Sequence, residues 1–311
     1  MSVSSMPIKP LQDVVRPTTV IEAPRLSKRF GVEITIVSET FQRTGSFKFR
    51  AAYNVASKVP HERIIVASSG NFGQALAYAC QMLGKSCTVV MPSTSAQVKI
   101  DAVREYGGTV NLIDTRTKNR STRVRELGSA DPEAYLASAY DDPLSIEGNA
   151  SLGAEIARLG RRFDLVLAPI GGGGLTSGII TGLRRAGNQT VVIAAEPLAA
   201  NDAARSLRAG HIIPNASEPQ TLADGARTVS VGAHNWAIIR EGLKDIIEVA
   251  EEQIREAVRL FFSLANLKTE PTGALALGAL IAEANRFQGQ SVCCVVSGGN
   301  VDPELFRDLL G

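Results

Sequence analysis

Runs of apolar, mostly β-branched residues alternate with helical patterns along most of this 311-residue chain. Several of these runs are apolar on both faces, which is typical of a parallel sheet that helices cover on each side. Residues 71–84 and 251–265 repeat apolar side chains at three- and four-residue spacing, which predicts two amphipathic helices. The alternation predicts an α/β fold with right-handed crossovers. The predicted strands are residues 32–37, 63–67, 87–91, 109–113, 164–170, 190–196 and 292–297.

Three glycine-rich turns each follow a predicted strand directly: "SSGNFG" (68–73), "GGGG" (171–174) and "SGGN" (297–300). In an α/β sheet, the loops at the carboxyl ends of the strands form the ligand crevice. Glycine lets backbone N–H groups approach an anion there, and a helix N-terminus adds partial positive charge. The four consecutive glycines therefore predict a phosphate cradle. The dinucleotide fingerprint G-x-G-x-x-G fails, because its last glycine would fall on Thr176 or Ser177.

Lys48 lies between two phenylalanines in "TGSFKFR" (44–50), at the predicted start of a helix. One interpretation is that its stem covers apolar surface while the amine reaches water. The other is a desolvated amine whose lowered pKa makes it a nucleophile toward a carbonyl. A phosphate cradle and a desolvated lysine together fit pyridoxal 5′-phosphate.

The composition of the chain argues against two classes of partner, nucleic acids and membranes. Lys+Arg 33 against Asp+Glu 31 leaves a net charge of +2, which argues against a nucleic-acid binder that works through a basic face. The sequence predicts neither a signal peptide nor a membrane span, so we expect no membrane partner. No pair among the four cysteines has metal-ligand spacing, and they favour a reduced, cytoplasmic protein. They are Cys80, Cys87, Cys293 and Cys294.

Seven motifs occur in the order seen in fold-type-II pyridoxal-phosphate enzymes. They are "QRTGSFKFRAA", "SSGNFGQALAYA", "GGGG", "AAEPLAAND", "LADGA", "EPTGALAL" and "SGGNVD". Between Pro17 and Asp302 the chain resembles this family, and in particular its serine/threonine dehydratase and serine racemase branch. The resemblance implies a tryptophan-synthase-β-like fold: two doubly wound α/β domains with the cofactor between them, and a homodimer. It sets the large domain at 1–53 and 141–311 and the small, closing domain at 54–140.

The resemblance also assigns roles around the cofactor. Lys48 would form the Schiff base and later move the Cα proton, and Asn71 would hydrogen-bond the pyridine 3-hydroxyl. Ser297 would face the pyridine nitrogen, and a neutral hydroxyl there makes the cofactor a weaker electron sink, which favours eliminations over transamination. The implied cofactor-binding positions are Lys48, Asn71, Gly171, Gly172, Gly173, Gly174, Gly225, Glu270 and Ser297.

The "SSGNF" turn is the predicted substrate site, because N–H groups at a helix start suit a carboxylate. In serine racemases the second serine of this turn handles a proton opposite the lysine, a catalytic role that would fall to Ser69; the alternative is a helix cap. Phe72 departs from the histidine or threonine usual in the family. It would either pack against an apolar substrate or belong to the helix core, and the substrate could be bulkier than serine. The substrate-binding positions are Ser68, Ser69, Gly70, Asn71 and Phe72.

"EPLAAND" holds a second set of oxygen donors. Glu196, the Ala200 carbonyl and Asp202 match the ligand spacing of the magnesium or calcium site in eukaryotic-type serine racemases, and hard cations prefer such donors. The alternative is that Asp202 caps the next helix and Glu196 makes an internal ion pair.

Together these features predict dehydration of a β-hydroxy amino acid, such as serine, threonine or a bulkier analogue, to a 2-oxo acid and ammonia. Two alternatives share the fold: an amino-acid racemase that uses Lys48 and Ser69 on opposite faces, and a β-replacement synthase. A non-catalytic amino-acid or nucleotide sensor is the alternative from another class. The lysine in "SFKFR" argues against it.

Overall fold

The computed structural model describes residues 8–68, 70–95 and 97–311. Its helices are α1 (Leu11–Val14), α2 (Pro24–Phe30), α3 (Lys48–Lys58), α4 (Asn71–Leu83), α5 (Gln97–Glu105), α6 (Arg120–Ala130), α7 (Pro143–Ala157), α8 (Gly174–Arg185), α9 (Asp202–Ala209), α10 (Ala233–Gly242), α11 (Glu251–Ala265), α12 (Leu275–Ala282) and α13 (Pro303–Leu310). Its strands are β1 (Thr19–Glu22), β2 (Glu33–Ser38), β3 (Arg63–Ala67), β4 (Ser86–Pro92), β5 (Thr109–Ile113), β6 (Ala134–Ala137), β7 (Leu165–Pro169), β8 (Val191–Pro197), β9 (Leu243–Val249) and β10 (Ser291–Val296).

The strands form two sheets. The larger sheet has the order β1-β2-β10-β7-β8-β9 and is parallel except for β1, which runs antiparallel to β2. The smaller sheet has the order β5-β4-β3-β6 and is parallel throughout. Helices connect the parallel strands, as crossover connections require. The predicted α/β fold is confirmed.

All seven predicted strands are present within one residue of their predicted ends, and so are the two predicted helices, α4 and α11. The prediction missed β1, β6 and β9. The strands β1 and β6 are only four residues long, and β9 carries Lys244, Asp245 and Glu248 within its run. Short or charge-interrupted strands lack the continuous apolar pattern that identified the others.

Packing against α7 fixes the direction of α8, the helix that follows the four glycines. A Cβ added to Gly153 would meet Gly182 Cα at 3.0 Å, and one added to Gly178 would meet the Asn149 carbonyl carbon at 2.7 Å. These glycines therefore let the two helix backbones approach closely. In the part of the chain that the structure describes, no helix is long and apolar enough to cross a membrane.

Candidate active site

The three glycine-rich turns follow β3, β7 and β10, as predicted. Hydrogen bonds join two of them directly: Asn300 Nδ2 in the turn after β10 donates to Asn71 Oδ1 at 2.8 Å. The Phe47 N–H donates to the Ser297 carbonyl at 3.0 Å, and this places the start of α3 beside β10. Residues that follow strands of both sheets therefore meet in one region, which we call the cleft.

Lys48 is the first residue of α3, and its amine lies in the cleft. Its Nζ donates to the Ala139 carbonyl at 2.8 Å and lies 5.1 Å from the ring centre of Phe47 and 5.6 Å from that of Phe72. Desolvation lowers the pKa of Lys48 to about 8, against the attraction of Glu270, which raises it. The desolvated-amine interpretation of "SFKFR" therefore fits the structure better than a solvated one.

Asn71 is held by a network of side chains. Its Nδ2 donates to Glu270 Oε1 at 2.7 Å, and its Oδ1 also accepts from Gln74 Nε2 at 3.1 Å. Burial raises the pKa of Glu270, and the negative charge of Asp224 raises it further. The carboxyl group is thereby biased toward its neutral form next to Asn71. Sequence reasoning missed Asn300 and Gln74, although both lie in motifs that it quoted.

In the turn formed by the four glycines, the carbonyl groups of Gly172 and Gly173 accept hydrogen bonds from the protein. Gly172 O accepts from Gly232 N at 3.0 Å, and Gly173 O accepts from Ser177 N at 2.9 Å. Within the described residues, the N–H groups of Gly171, Gly172 and Gly173 donate to no protein acceptor. The turn thus presents free N–H groups at the start of α8, which is what a phosphate requires.

Side chains larger than hydrogen do not fit this turn. A Cβ on Gly172 would overlap the ring of Tyr140, and Gly173 has φ +95°, a left-handed conformation that favours glycine. Gly225, another predicted cofactor contact, donates its N–H to Thr272 Oγ1 at 2.9 Å. Ser297 is almost fully buried at the end of β10.

The substrate turn opens α4. Ser68 Oγ accepts from Gly73 N at 3.0 Å and so caps the helix, while Gly70 directly precedes it. Ser69 lies outside the described residues. Phe72 is buried in the core around the smaller sheet, which fits the helix-core interpretation, and its ring centre lies 5.6 Å from the Lys48 Nζ.

Glu196 lies near the end of β8, and Asp202 is the first residue of α9. Glu196, not Asp202, caps α9: its carboxylate accepts from Ala203 N at 3.1 Å and Ala204 N at 2.8 Å. Asp202 accepts from Val231 N at 2.7 Å. Burial raises the pKa of both carboxyl groups, that of Asp202 to about 6. Within the described chain no group of three or more His, Cys, Asp or Glu side chains is placed to hold a metal, so a cation here would need the Ala200 carbonyl and water.

Two cations from the smaller sheet's helices meet acids of the other half of the cleft. Lys99 on α5 pairs with Asp224, and Arg120 on α6 donates to Glu218 at 2.8 Å. Asp224 directly precedes Gly225, and the charge of Lys99 lowers the pKa of Glu270, so the Lys99 ammonium lies close to the site. Sequence reasoning missed both cations, because nothing in a single sequence shows that residues so far apart are paired.

The chain is similar to known proteins over nearly its whole length. The family model described as pyridoxal-phosphate dependent enzyme matches residues 11–298. The L-threo-3-hydroxyaspartate ammonia-lyase of a Pseudomonas species is 35% identical over 96% of this chain and 95% of its own. The serine racemase of Mus musculus is 33% identical over 94% and 88%. Among solved structures, the threonine deaminase of T.th. is 37% identical with a TM-score of 0.89, covering 94% of this chain and 95% of the other.

Proposed function

Because the chain belongs to the family of pyridoxal-phosphate dependent enzymes, we propose that it removes water from a β-hydroxy amino acid, giving a 2-oxo acid and ammonia. The observation that carries the proposal is the desolvated Lys48 amine, with its pKa lowered to about 8, which the Ala139–Tyr140 segment connects to the free N–H groups of the glycine turn. Relatives that are ammonia-lyases or dehydratases of hydroxyaspartate support the same reaction class.

The residues of the cleft fit the cofactor. The N–H groups of Gly171, Gly172 and Gly173 suit its phosphate, and the Lys48 amine suits its aldehyde. Ser297 offers a neutral hydroxyl for the ring nitrogen. When bound, pyridoxal phosphate withdraws electrons from the substrate Cα, so that the Cα proton becomes acidic.

The chain's own groups then bind the substrate and move its proton. The N-terminus of α4, with Ser68 and Asn71, would bind the α-carboxylate. Lys48 takes the Cα proton, and the β-hydroxyl leaves as water after it gains a proton. The enamine that is released takes up a proton on Cβ, and water replaces its nitrogen to yield the 2-oxo acid and ammonia.

We propose a substrate with a second carboxylate, such as 3-hydroxyaspartate. The support comes from the names of three relatives and from the two cations, Lys99 and Arg120, close to the cleft. A distal carboxylate entering the cleft would meet the Lys99 ammonium. A substrate with an uncharged β-substituent would not be stabilised by contact with the Lys99 ammonium.

The test is 2-oxo acid release from L- and D-serine, L-threonine, 3-hydroxyaspartate and phenylserine, with and without added magnesium. We expect release from 3-hydroxyaspartate above all. Lys48→Ala should lower the rate by at least about 10³-fold. Lys85→Ala is the matched control, since Lys85 also donates to a backbone carbonyl, that of Val59 at 2.6 Å, but lies outside the cleft. Turnover by Lys48→Ala with cofactor bound would contradict the mechanism.

Racemisation is the second candidate, and the serine racemases among the relatives favour it. Ser69 would donate or accept a proton on the face opposite Lys48. Chiral analysis of the amino acid that remains after partial turnover separates the two activities. An enzyme with lyase activity alone would leave the remaining amino acid in its original configuration.

We also propose a magnesium or calcium ion bound by Glu196, the Ala200 carbonyl and Asp202. Two buried carboxylates are costly to ionise, and a divalent cation with oxygen preference would offset that cost.

We further propose that residues 54–140 form a small domain that closes over the substrate, and that the enzyme is a cytoplasmic homodimer. The smaller sheet and four unpaired, buried cysteines are consistent with these proposals. Light scattering after size exclusion tests the dimer.

A further inference from the structure

Two buried asparagines on different helices contact the glycine turn. Asn149 on α7 is 2% exposed, and its Nδ2 donates to the Gly174 carbonyl at 3.0 Å. Asn235 on α10 is 0% exposed, and its Nδ2 donates to the Gly172 carbonyl at 2.7 Å. Neither residue has a role in the reaction proposed above. Each places an amide donor on the backbone of the turn itself.

A hydrogen bond that holds the carbonyl group of one residue also fixes the direction of the N–H group of the next residue. A trans peptide unit is planar, and its C=O and N–H point in opposite directions. The amide of Asn235 on the Gly172 carbonyl therefore sets the direction of the Gly173 N–H. In the same way, the amide of Asn149 on the Gly174 carbonyl sets the Leu175 N–H. Both asparagines thus act on N–H groups at the start of α8, where a helix N-terminus suits a phosphate.

These contacts come at a cost to stability. The Oδ1 atoms of Asn149 and Asn235 are buried and, within the described residues, have no hydrogen-bond partner. A buried oxygen without a partner is unfavourable, and native proteins hold few of them. Two such oxygens on side chains that contact one turn indicate that the donors of these side chains are needed there.

Asn235 also links the turn to the chain segment between the sheets. Its Nδ2 donates to the Tyr140 carbonyl at 3.0 Å, and the Tyr140 ring covers the position where Gly172 would carry a Cβ. The backbone N–H groups of α10 are capped in turn by Asp141, which accepts from His234 N at 2.9 Å. The asparagine is therefore held rigidly in place while it holds the turn.

We infer that Asn149 and Asn235 are positioning residues that aim the N–H groups of the glycine turn at the cofactor phosphate. The inference depends on the cofactor and not on which amino acid the enzyme converts. Binding measured without substrate therefore tests it separately from the proposed reaction.

The experiment compares the affinity of the apoprotein for pyridoxal phosphate with its affinity for pyridoxal, which lacks the phosphate. Asn149→Leu and Asn235→Leu keep the branched shape of the side chain and remove its donor. Each should weaken pyridoxal phosphate binding by at least about tenfold and pyridoxal binding by less than about threefold. Asn54→Leu is the matched control. Asn54 is 4% exposed and donates to the Leu144 carbonyl at 2.7 Å, away from the glycine turn, so both affinities should stay unchanged.

Equal losses for the two ligands, or unchanged phosphate binding in folded variants, would overturn the inference. A role limited to stability would lower the melting temperature and leave the ratio of the two affinities as in the wild type. If the leucine variants do not fold, Asn149→Ser and Asn235→Ser serve instead. Their hydroxyl groups are too short to reach the carbonyls, and the same selective loss is expected.

Discussion

Lys48 combines a charge with surroundings that disfavour it. Phe47 and Phe72 lie on its flanks, and the hydrogen-bond acceptor that contacts its amine is the neutral Ala139 carbonyl. Burial therefore favours the uncharged amine, the form that attacks an aldehyde and accepts a proton. The ring of Phe72 makes the surroundings of the amine more apolar than a polar side chain at this position would.

The lowered pKa predicts the pH dependence of cofactor capture. Only neutral Lys48 reacts, so the rate of capture by the apoprotein should rise with pH, with a midpoint at about 8 rather than the ordinary 10.5. The pKa of Glu270 is raised to about 8, so its carboxyl is partly ionised in this pH range and attracts the ammonium form; Glu270→Gln should therefore move the midpoint lower. Stopped-flow absorbance measures the rate, with a lysine peptide as the control. A midpoint near that of the peptide would contradict the desolvated amine.

Individual residues differ in how far the sequence predicted them. Lys48 was identifiable because its neighbours in the chain are themselves unusual. Asn149 and Asn235 were not, because each is an ordinary polar residue in a helix and its partner glycine is distant in sequence. The pairing of Asn71 with Glu270 is likewise invisible to local patterns. Such roles arise only when the fold brings distant segments together.

At the scale of elements, the start of α8 depends on one backbone conformation. Gly173 has φ +95°, and an added Cβ would meet Ile239 Cδ1 at 2.6 Å and Asn235 Cβ at 2.9 Å. Gly187, at φ +68°, has nothing within 4 Å of an added Cβ. Alanine at either position would be destabilising by about 1–2 kcal/mol, because its Cβ disfavours the left-handed backbone conformation. Only the alanine at 173 also displaces atoms around the turn.

We therefore expect Gly187→Ala to lower the unfolding free energy by about 1–2 kcal/mol. Gly173→Ala should lower it by more, because its Cβ also displaces neighbouring atoms. Gly173→Ala should also weaken pyridoxal phosphate binding by at least about tenfold, while Gly187→Ala binds it normally. Denaturant titration and cofactor titration measure the two effects. Wild-type cofactor affinity in Gly173→Ala would show that the turn tolerates a side chain and is not a tight phosphate site.

The junction of β8 and α9 gives a prediction about metal ions. The pKa of Asp202 is raised to about 6 from 3.8, so the cost of burying its charge grows as pH rises between these values and is constant above them. A divalent cation binds the ionised form. Magnesium or calcium at about 100 times its Kd should therefore stabilise the protein by about 2.7 kcal/mol above pH 6. The stabilisation should fade as the pH falls below 6.

Thermal melting in magnesium chloride, against sodium chloride of equal ionic strength, checks this stabilisation. Asp202→Asn should abolish the shift, whereas Asp245→Asn should keep it, since Asp245 is a half-exposed carboxylate paired with Arg286. A shift that persists in Asp202→Asn would place the cation elsewhere.

At the scale of the whole molecule, the active site is assembled from both sheets. The alternating pattern predicted seven of the ten strands that the structure describes, and glycine turns marked the carboxyl ends of three of them, so the cleft itself was predictable. The ion pairs that span it were not, since Lys99 and Asp224 are surface-type residues with no local signature. Lys99 also acts on the centre of the site, because its positive charge lowers the pKa of Glu270.

The position of Lys99 predicts which substrate depends on it. Lys99→Met removes the cation that a distal carboxylate would meet, so kcat/KM for 3-hydroxyaspartate should fall at least about tenfold more than kcat/KM for serine. We compare the two substrates because Lys99→Met also removes the Lys99–Asp224 ion pair between the two halves of the cleft, and this loss affects both substrates alike. Arg104→Met is the matched control on the same helix, since Arg104 is half-exposed and pairs with Asp101. An equal fall for the two substrates would leave Lys99 as a link between the two halves of the cleft, with no part in selecting a dicarboxylic substrate.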